Sequence, residues 1–127
     1  MAHHPNMLCI EDNEELRNSV SQQFTMEDFI VDTAEDGEIG LKKTREKIYD
    51  IVLLDMKMPK MDGLQVLKEM KKNDYFPSVI MLTAVDDTQL AIECIRLGAK
   101  DYISKPYDPD ELLHVVIRTL SARGPEC

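Results

Sequence analysis

The feature that most constrains this chain is a strict alternation. Five short apolar runs, at residues 7–10, 29–34, 51–55, 79–83 and 102–104, alternate with five longer amphipathic stretches. Ile51-Val52-Leu53-Leu54 and Val79-Ile80-Met81-Leu82 are apolar without a break, as a strand covered on both faces must be. Between the runs, Leu16, Val20 and Phe24 recur at helical spacing, as do Leu112, Val116 and Leu120. Leu64 with Leu67, and Ala91 with Ile95, mark two more helices. The stretch 37–47 carries the weakest helical signal, because Gly40 lies inside it. Asp108-Pro109 gives a helix start, and Gly98 after Leu97 gives a stop. Alternating strands and helices predict an α/β fold: a doubly wound parallel sheet with right-handed crossovers and helices on both faces. Such sheets bind ligands outside the carboxyl ends of their strands.

The strand ends therefore deserve the closest reading. The first run leads into Glu11-Asp12, the third ends in Asp55, the fourth in Thr83-Ala84 and the fifth in Lys105-Pro106. Taken singly, Glu11 and Asp12 read equally well as acids opening a helix. Asp55 alone reads as a cap of the loop that follows it, and Thr83 as an ordinary strand residue. Together they bring three carboxylates and an ammonium to one sheet edge. Two carboxylates at about 4 Å repel by about 4 kcal/mol at an effective dielectric of about 20. Lys105 offsets only part of that, so one acid is protonated or a divalent cation binds. An all-oxygen pocket suits Mg²⁺. Asp55, placed at the end of an apolar strand, suits a nucleophilic carboxylate that accepts a phosphoryl group. Pro106 permits a cis bond after Lys105, and Pro59, Asp62 and Gly63 read as turn residues, with Gly63 taking a positive φ.

Several function classes are disfavoured. With 24 acidic against 15 basic residues the net charge is −9, which argues against direct nucleic-acid binding and against an anionic membrane surface. No apolar segment is long enough to span a bilayer, and the first residues lack the apolar core of a signal peptide. Cys9, Cys94 and Cys127 are widely spaced and odd in number; they fit no disulfide framework or zinc site and suit a reducing cytoplasm. His3 and His4 are assigned no metal. A haloacid-dehalogenase-type phosphatase needs a second Asp two positions after the nucleophile, where Lys57 stands. A nucleotide-binding loop needs glycines where Asn13-Glu14-Glu15 stand.

Four segments, in this order and spacing, resemble the motifs of response-regulator receiver domains. They are Glu11-Asp12, the stretch from Leu54 through Asp55 and Pro59 to Gly63, Leu82-Thr83-Ala84, and the stretch from Gly98 to Pro106. The resemblance covers residues 6–123, leaving 1–5 as an N-terminal extension and 124–127 as a tail or the start of a linker. It implies a (βα)5 flavodoxin-like, CheY-like fold with sheet order 2-1-3-4-5. It also implies a phosphoacceptor of a two-component or phosphorelay system, served by a histidine kinase or a histidine phosphotransfer domain. By resemblance Asp55 is the acceptor, and Glu11, Asp12, Asp55 and the Lys57 backbone carbonyl hold Mg²⁺, with Mn²⁺ as an alternative. Glu11 stands where a second Asp is common, and its longer side chain allows contact through water. Thr83 and Lys105 contact the phosphoryl group, and the Lys105–Pro106 bond is cis. Thr83 and Tyr102 form a switch acting on the face of the last two helices and the last strand, where an output domain or a second copy docks. Lys57, two positions after the acceptor, and Val85, two after the threonine, are expected to tune the lifetime of the phosphorylated state. By the same resemblance Asp101, Glu111 and either Arg96 or Arg118 are expected to supply parts of the family's dimer network, but Val115 stands where that network has an Arg. This leans the reading away from winged-helix regulators.

Overall fold

The structure, a computed structural model, describes residues 4–75, 77–84 and 86–122. Five strands and five helices alternate: β1 (Asn6–Ile10), α1 (Glu14–Met26), β2 (Ile30–Ala34), α2 (Gly37–Glu46), β3 (Ile51–Asp55), α3 (Gly63–Lys72), β4 (Ser78–Ala84), α4 (Thr88–Arg96), β5 (Asp101–Lys105) and α5 (Pro109–Ser121). All strand pairs are parallel, in the order β2-β1-β3-β4-β5. Val85 lies outside the described residues, as do residues 1–3 of the expected extension and the whole expected tail 124–127.

The unbroken apolar runs are explained by two cores, one on each face of the sheet. Strand side chains alternate between them. Leu8, Ile10, Val52, Leu54, Val79 and Met81 point to the side of α2, α3 and α4, where they meet Leu41, Val66, Leu67, Met70 and Cys94. Met7, Cys9, Ile51, Leu53, Ile80, Leu82 and Ile103 point to α1 and α5, meeting Val20, Phe24, Leu112, Val115 and Val116. Every residue of β3 is buried. Truncating a central one such as Leu53 to Ala costs about 2–5 kcal/mol, because a strand clamped between two cores cannot collapse into the space.

Local details depart from the sequence reading in instructive ways. β2 starts at Ile30 rather than Phe29, whose ring packs edge-on against Phe24 at 5.1 Å between centroids. α2 forms despite Gly40, because the glycine lies against Ile10: a Cβ there would stand 2.5 Å from Ile10 Cδ1. Gly63 does not take a positive φ; in this loop Lys60 does, at 71°. Gly63 opens α3, where a Cβ would stand 2.5 Å from the Asp55 carbonyl oxygen, so close backbone approach explains the glycine. In α4 the core is met by Ala91 and Cys94, while Ile95 is 38% exposed.

β1 is the switch point. The chain leaves it for β2 on one side and later returns to β3 on the other, which opens a crevice at the carboxyl ends of β1 and β3.

Candidate functional site

The crevice is an open cavity of about 350 Å³ lined by Glu11, Asp12, Asn13, Asp55, Lys57, Ala84 and Lys105. Glu11 follows β1 and is fully buried; Asp55 ends β3 and is 3% exposed; Asp12 is exposed. One oxygen from each of these three carboxylates lies within 4.8 Å of the others. From the far side of the crevice Lys105, at the end of β5, places its Nζ 2.9 Å from Glu11 Oε1 and 2.9 Å from Asp55 Oδ1. The Lys105–Pro106 peptide is cis.

Burial pushes the Asp55 carboxyl up to about 7, and the neighbouring Glu11 carboxylate pushes the same way, while the hydrogen bond from Lys105 opposes both. For Lys105, burial favours the neutral amine, but the hydrogen bonds to Glu11 and Asp55 outweigh it and raise the ammonium above its usual value. The pocket thus holds more negative charge than one lysine neutralises. Three convergent hard oxygens, at least one of them exposed to solvent, fit a small divalent cation such as Mg²⁺.

The turn after β1 is held from two sides. Asn13 caps α1 through its side chain, and its N–H donates to Glu11 Oε2 at 3.1 Å. Arg17, on α1, donates from Nη1 to the Glu11 carbonyl at 2.9 Å and to the Asp12 carbonyl at 3.4 Å. Asn13 before a helical run has the sequence of a cap, whereas the Arg17 contacts depend on the folded turn.

Thr83, the penultimate residue of β4, has its Oγ1 buried and without a hydrogen-bond partner. It pairs in register with Ser104, and Tyr102 pairs with Met81, so Thr83 and Tyr102 lie on one face of adjacent strands, two positions apart. Tyr102 is half-buried against the core that contains Cys94 and Ala99. Lys57 is 66% exposed and pairs with Asp87 at 3.4 Å, a partner the sequence reading did not single out. The structure therefore brings Glu11, Asp12, Asp55 and Lys105 together at one crevice. Lys57 also lines it, Thr83 stands in β4 just before the lining residue Ala84, and Tyr102 lies farther down β5.

Residues 7–117 match the family model of the response regulator receiver domain. The chain belongs to this family. It is 37% identical over 118 residues to the regulatory protein AtoC of Escherichia coli, covering 93% of this chain and 26% of that protein. It is 35% identical over 121 residues to the response regulator ArlR of Staphylococcus epidermidis, covering 95% of this chain and 54% of that protein. The chain thus spans from under a fifth to about half of the length of the curated relatives it matches. Among solved structures, the receiver domain of Francisella response regulator 1452 superposes with a TM-score of 0.88 at 29% identity, over 95% of this chain and 100% of that one. The fold is the CheY-like receiver fold expected. A receiver domain is a signalling phosphoacceptor of a two-component system, binds Mg²⁺ in its acidic pocket, and works with a histidine kinase or phosphotransfer protein. No helix among the described residues is long and apolar enough to cross a membrane.

Proposed function

We propose that Asp55 is the residue this receiver domain phosphorylates. The observation that carries the reading is the Lys105 ammonium, held between Glu11 and Asp55 at 2.9 Å from each, beside a cavity open to solvent. A phosphohistidine of a kinase or phosphotransfer domain enters that cavity. An Asp55 carboxylate oxygen attacks phosphorus, the phosphorus–nitrogen bond breaks, and the imidazole leaves with its electron pair and takes a proton from water. Little covalent help is needed; positioning and charge neutralisation dominate. Lys105 pairs with one oxygen of the transferred group. The buried Thr83 hydroxyl, which lacks a partner, donates to another. Glu11, Asp12, Asp55 and the Lys57 carbonyl would hold Mg²⁺, or Mn²⁺ in its place; the bound ion supplies charge that offsets the incoming phosphate.

Slow loss of the signal follows the same line: water attacks phosphorus, the phosphorus–oxygen bond to Asp55 breaks, and inorganic phosphate leaves. Lys57, two residues after Asp55, and Val85, two after Thr83, are proposed to set its rate. Movement of Thr83 toward the phosphoryl group opens room for Tyr102 to turn inward, and this alters the α4-β5-α5 face toward an output domain or a second copy. On that face Arg118 pairs with Asp101 within the chain at 2.8 Å, so a dimer network built on these residues must first exchange this contact. We assign residues 6–123 to the receiver unit and the cytoplasm as its compartment.

The test is incubation with acetyl phosphate and Mg²⁺. One phosphoryl group should appear, mapped to Asp55 by mass spectrometry, and a chelator should stop its formation. Asp55→Asn should abolish it; full labelling of that variant overturns the assignment.

A further inference from the structure

Four of the five helices are capped by the side chain at their N-cap. Asn13 accepts from Leu16 N–H, Asp36 from Ile39, Asp62 from Gln65 and Asp108 from Asp110. Helix α4 differs. Asp87 occupies its N-cap, and its carbonyl accepts from Ala91 N–H at 3.0 Å, but its side chain makes no capping bond. An Asp in this place ordinarily turns its carboxylate onto the N2 or N3 amide, satisfying an orphan donor at the positive end of the helix dipole. Here the side chain is only 12% exposed, its Oδ2 is buried without a hydrogen-bond partner, and the nearest cation is Lys57 Nζ at 3.4 Å. That lysine stands two residues after Asp55, at the lip of the acidic cavity.

The two claims on Asp87 are closely matched. The Lys57 end is 66% exposed, so the pair is weak and screened, and a single cap is weak too. A phosphoryl group on Asp55 carries a charge of about −1.5 to −2, where the free carboxylate carries at most about −1. That outcompetes one carboxylate for a mobile ammonium close at hand. Once Lys57 leaves, the largely buried Asp87 carboxylate has lost its cation, and the amides of Gln89 and Leu90 are the donors its position addresses.

We propose that Asp87 is a positioning residue for Lys57: it holds the ammonium aside while Asp55 is free, surrenders it to the phosphoryl group, and then caps α4. The exchange rests on Asp55 being the acceptor. It carries the phosphorylation state to the start of α4 by a path that does not use the Thr83 hydroxyl. It also gives Lys57 a phosphorylation-dependent place, over the group whose lifetime it is proposed to set.

The test is amide NMR with hydrogen exchange on the intact domain, with and without beryllofluoride and Mg²⁺. In the parent protein, the Gln89 or Leu90 amide should shift on adding beryllofluoride and exchange about threefold or more slowly, as a newly formed capping bond requires. Lys57→Met should show the protected amide without beryllofluoride. So should Asp87→Asn, which keeps a capping side chain but removes the charge that holds Lys57. Asp87→Ala should never show it. If both Lys57→Met and Asp87→Asn match the unphosphorylated parent at these amides, the exchange is wrong. Acetyl phosphate labelling on the same samples separates the two readings. Normal labelling of Asp55 with unmoved amides overturns only the exchange, whereas absence of label on Asp55 overturns the acceptor assignment and the exchange with it.

Discussion

Asp32, on the edge strand β2, and Asp55, at the end of β3, are both carboxylates within hydrogen-bond reach of a lysine, yet they are driven in opposite directions. Asp32 Oδ2 accepts from Tyr49 OH at 2.7 Å and from Lys47 Nζ at 3.2 Å. Burial alone would raise its carboxyl, but these two hydrogen bonds outweigh burial and hold it below the usual range. Tyr49 is tied in turn, its N–H donating to Tyr75 OH at 3.0 Å and its ring lying 5.5 Å from the Lys47 ammonium. On this flank each polar group has an answering partner, and the network anchors the edge strand to the start of β3. Across the sheet, burial and Glu11 defeat Lys105 at Asp55, and the carboxyl rises to about 7. All three buried side-chain polar atoms found without a hydrogen-bond partner among the described residues, Thr83 Oγ1, Asp87 Oδ2 and Tyr107 OH, belong to the segments following β4 and β5 or to β4 itself. Unsatisfied buried groups cost stability. One flank ties its polar groups down, while the other leaves three of them without a hydrogen bond.

The contrast breaks most visibly with pH. Folded Asp55 binds its proton up to about 7, whereas an unfolded Asp lets go near 3.8. Between those values the native state holds more protons than the unfolded one, so this group makes stability fall as pH rises from about 4 to about 7. Asp55→Asn should remove that slope and be more stable at pH 8, on the order of a few kcal/mol. Urea unfolding across pH reads it, and an unchanged slope in the Asn variant would place the strain elsewhere. A smaller effect is expected on the tied flank. Tyr49→Phe removes a hydrogen bond to a charged acceptor and should cost about 1–2 kcal/mol. Labelling by acetyl phosphate should be unaffected, and a parallel loss of labelling would mean that the flanks are coupled. Smallest is Thr83→Val, which swaps an unpartnered hydroxyl for a methyl of similar size. Stability should hold or rise by up to about 1 kcal/mol, while the response of Tyr102 to beryllofluoride shrinks. A loss above 1 kcal/mol would show that the hydroxyl already has a partner in the resting protein.

The alternation of apolar runs and amphipathic stretches was sufficient to determine the parallel sheet. It also determined which ends would carry Glu11, Asp12, Asp55, Thr83 and Lys105. Strand period, helix period and the need to cover both faces of a buried strand are local rules, and the ends of parallel strands then share one edge whatever the loops do. Other features lay beyond sequence reasoning because each depends on which of several reachable neighbours a flexible group meets. Gly63 reads as a turn glycine until the Asp55 carbonyl is found against it. Ile95 fits the helical period as well as Cys94 does, and only the packing of α4 on the sheet turns Cys94 inward. Arg17 has a long side chain and many acids within reach, yet it settles on two carbonyls of the β1–α1 turn. Asp87 has the sequence of a helix cap, and its carboxylate faces Lys57 instead because the loop after β3 folds back beside it. Local periodicity is carried by the backbone and survives in the sequence. The choice among competing polar partners is made by distances of a few ångströms between segments far apart in the chain, and only the tertiary structure sets those.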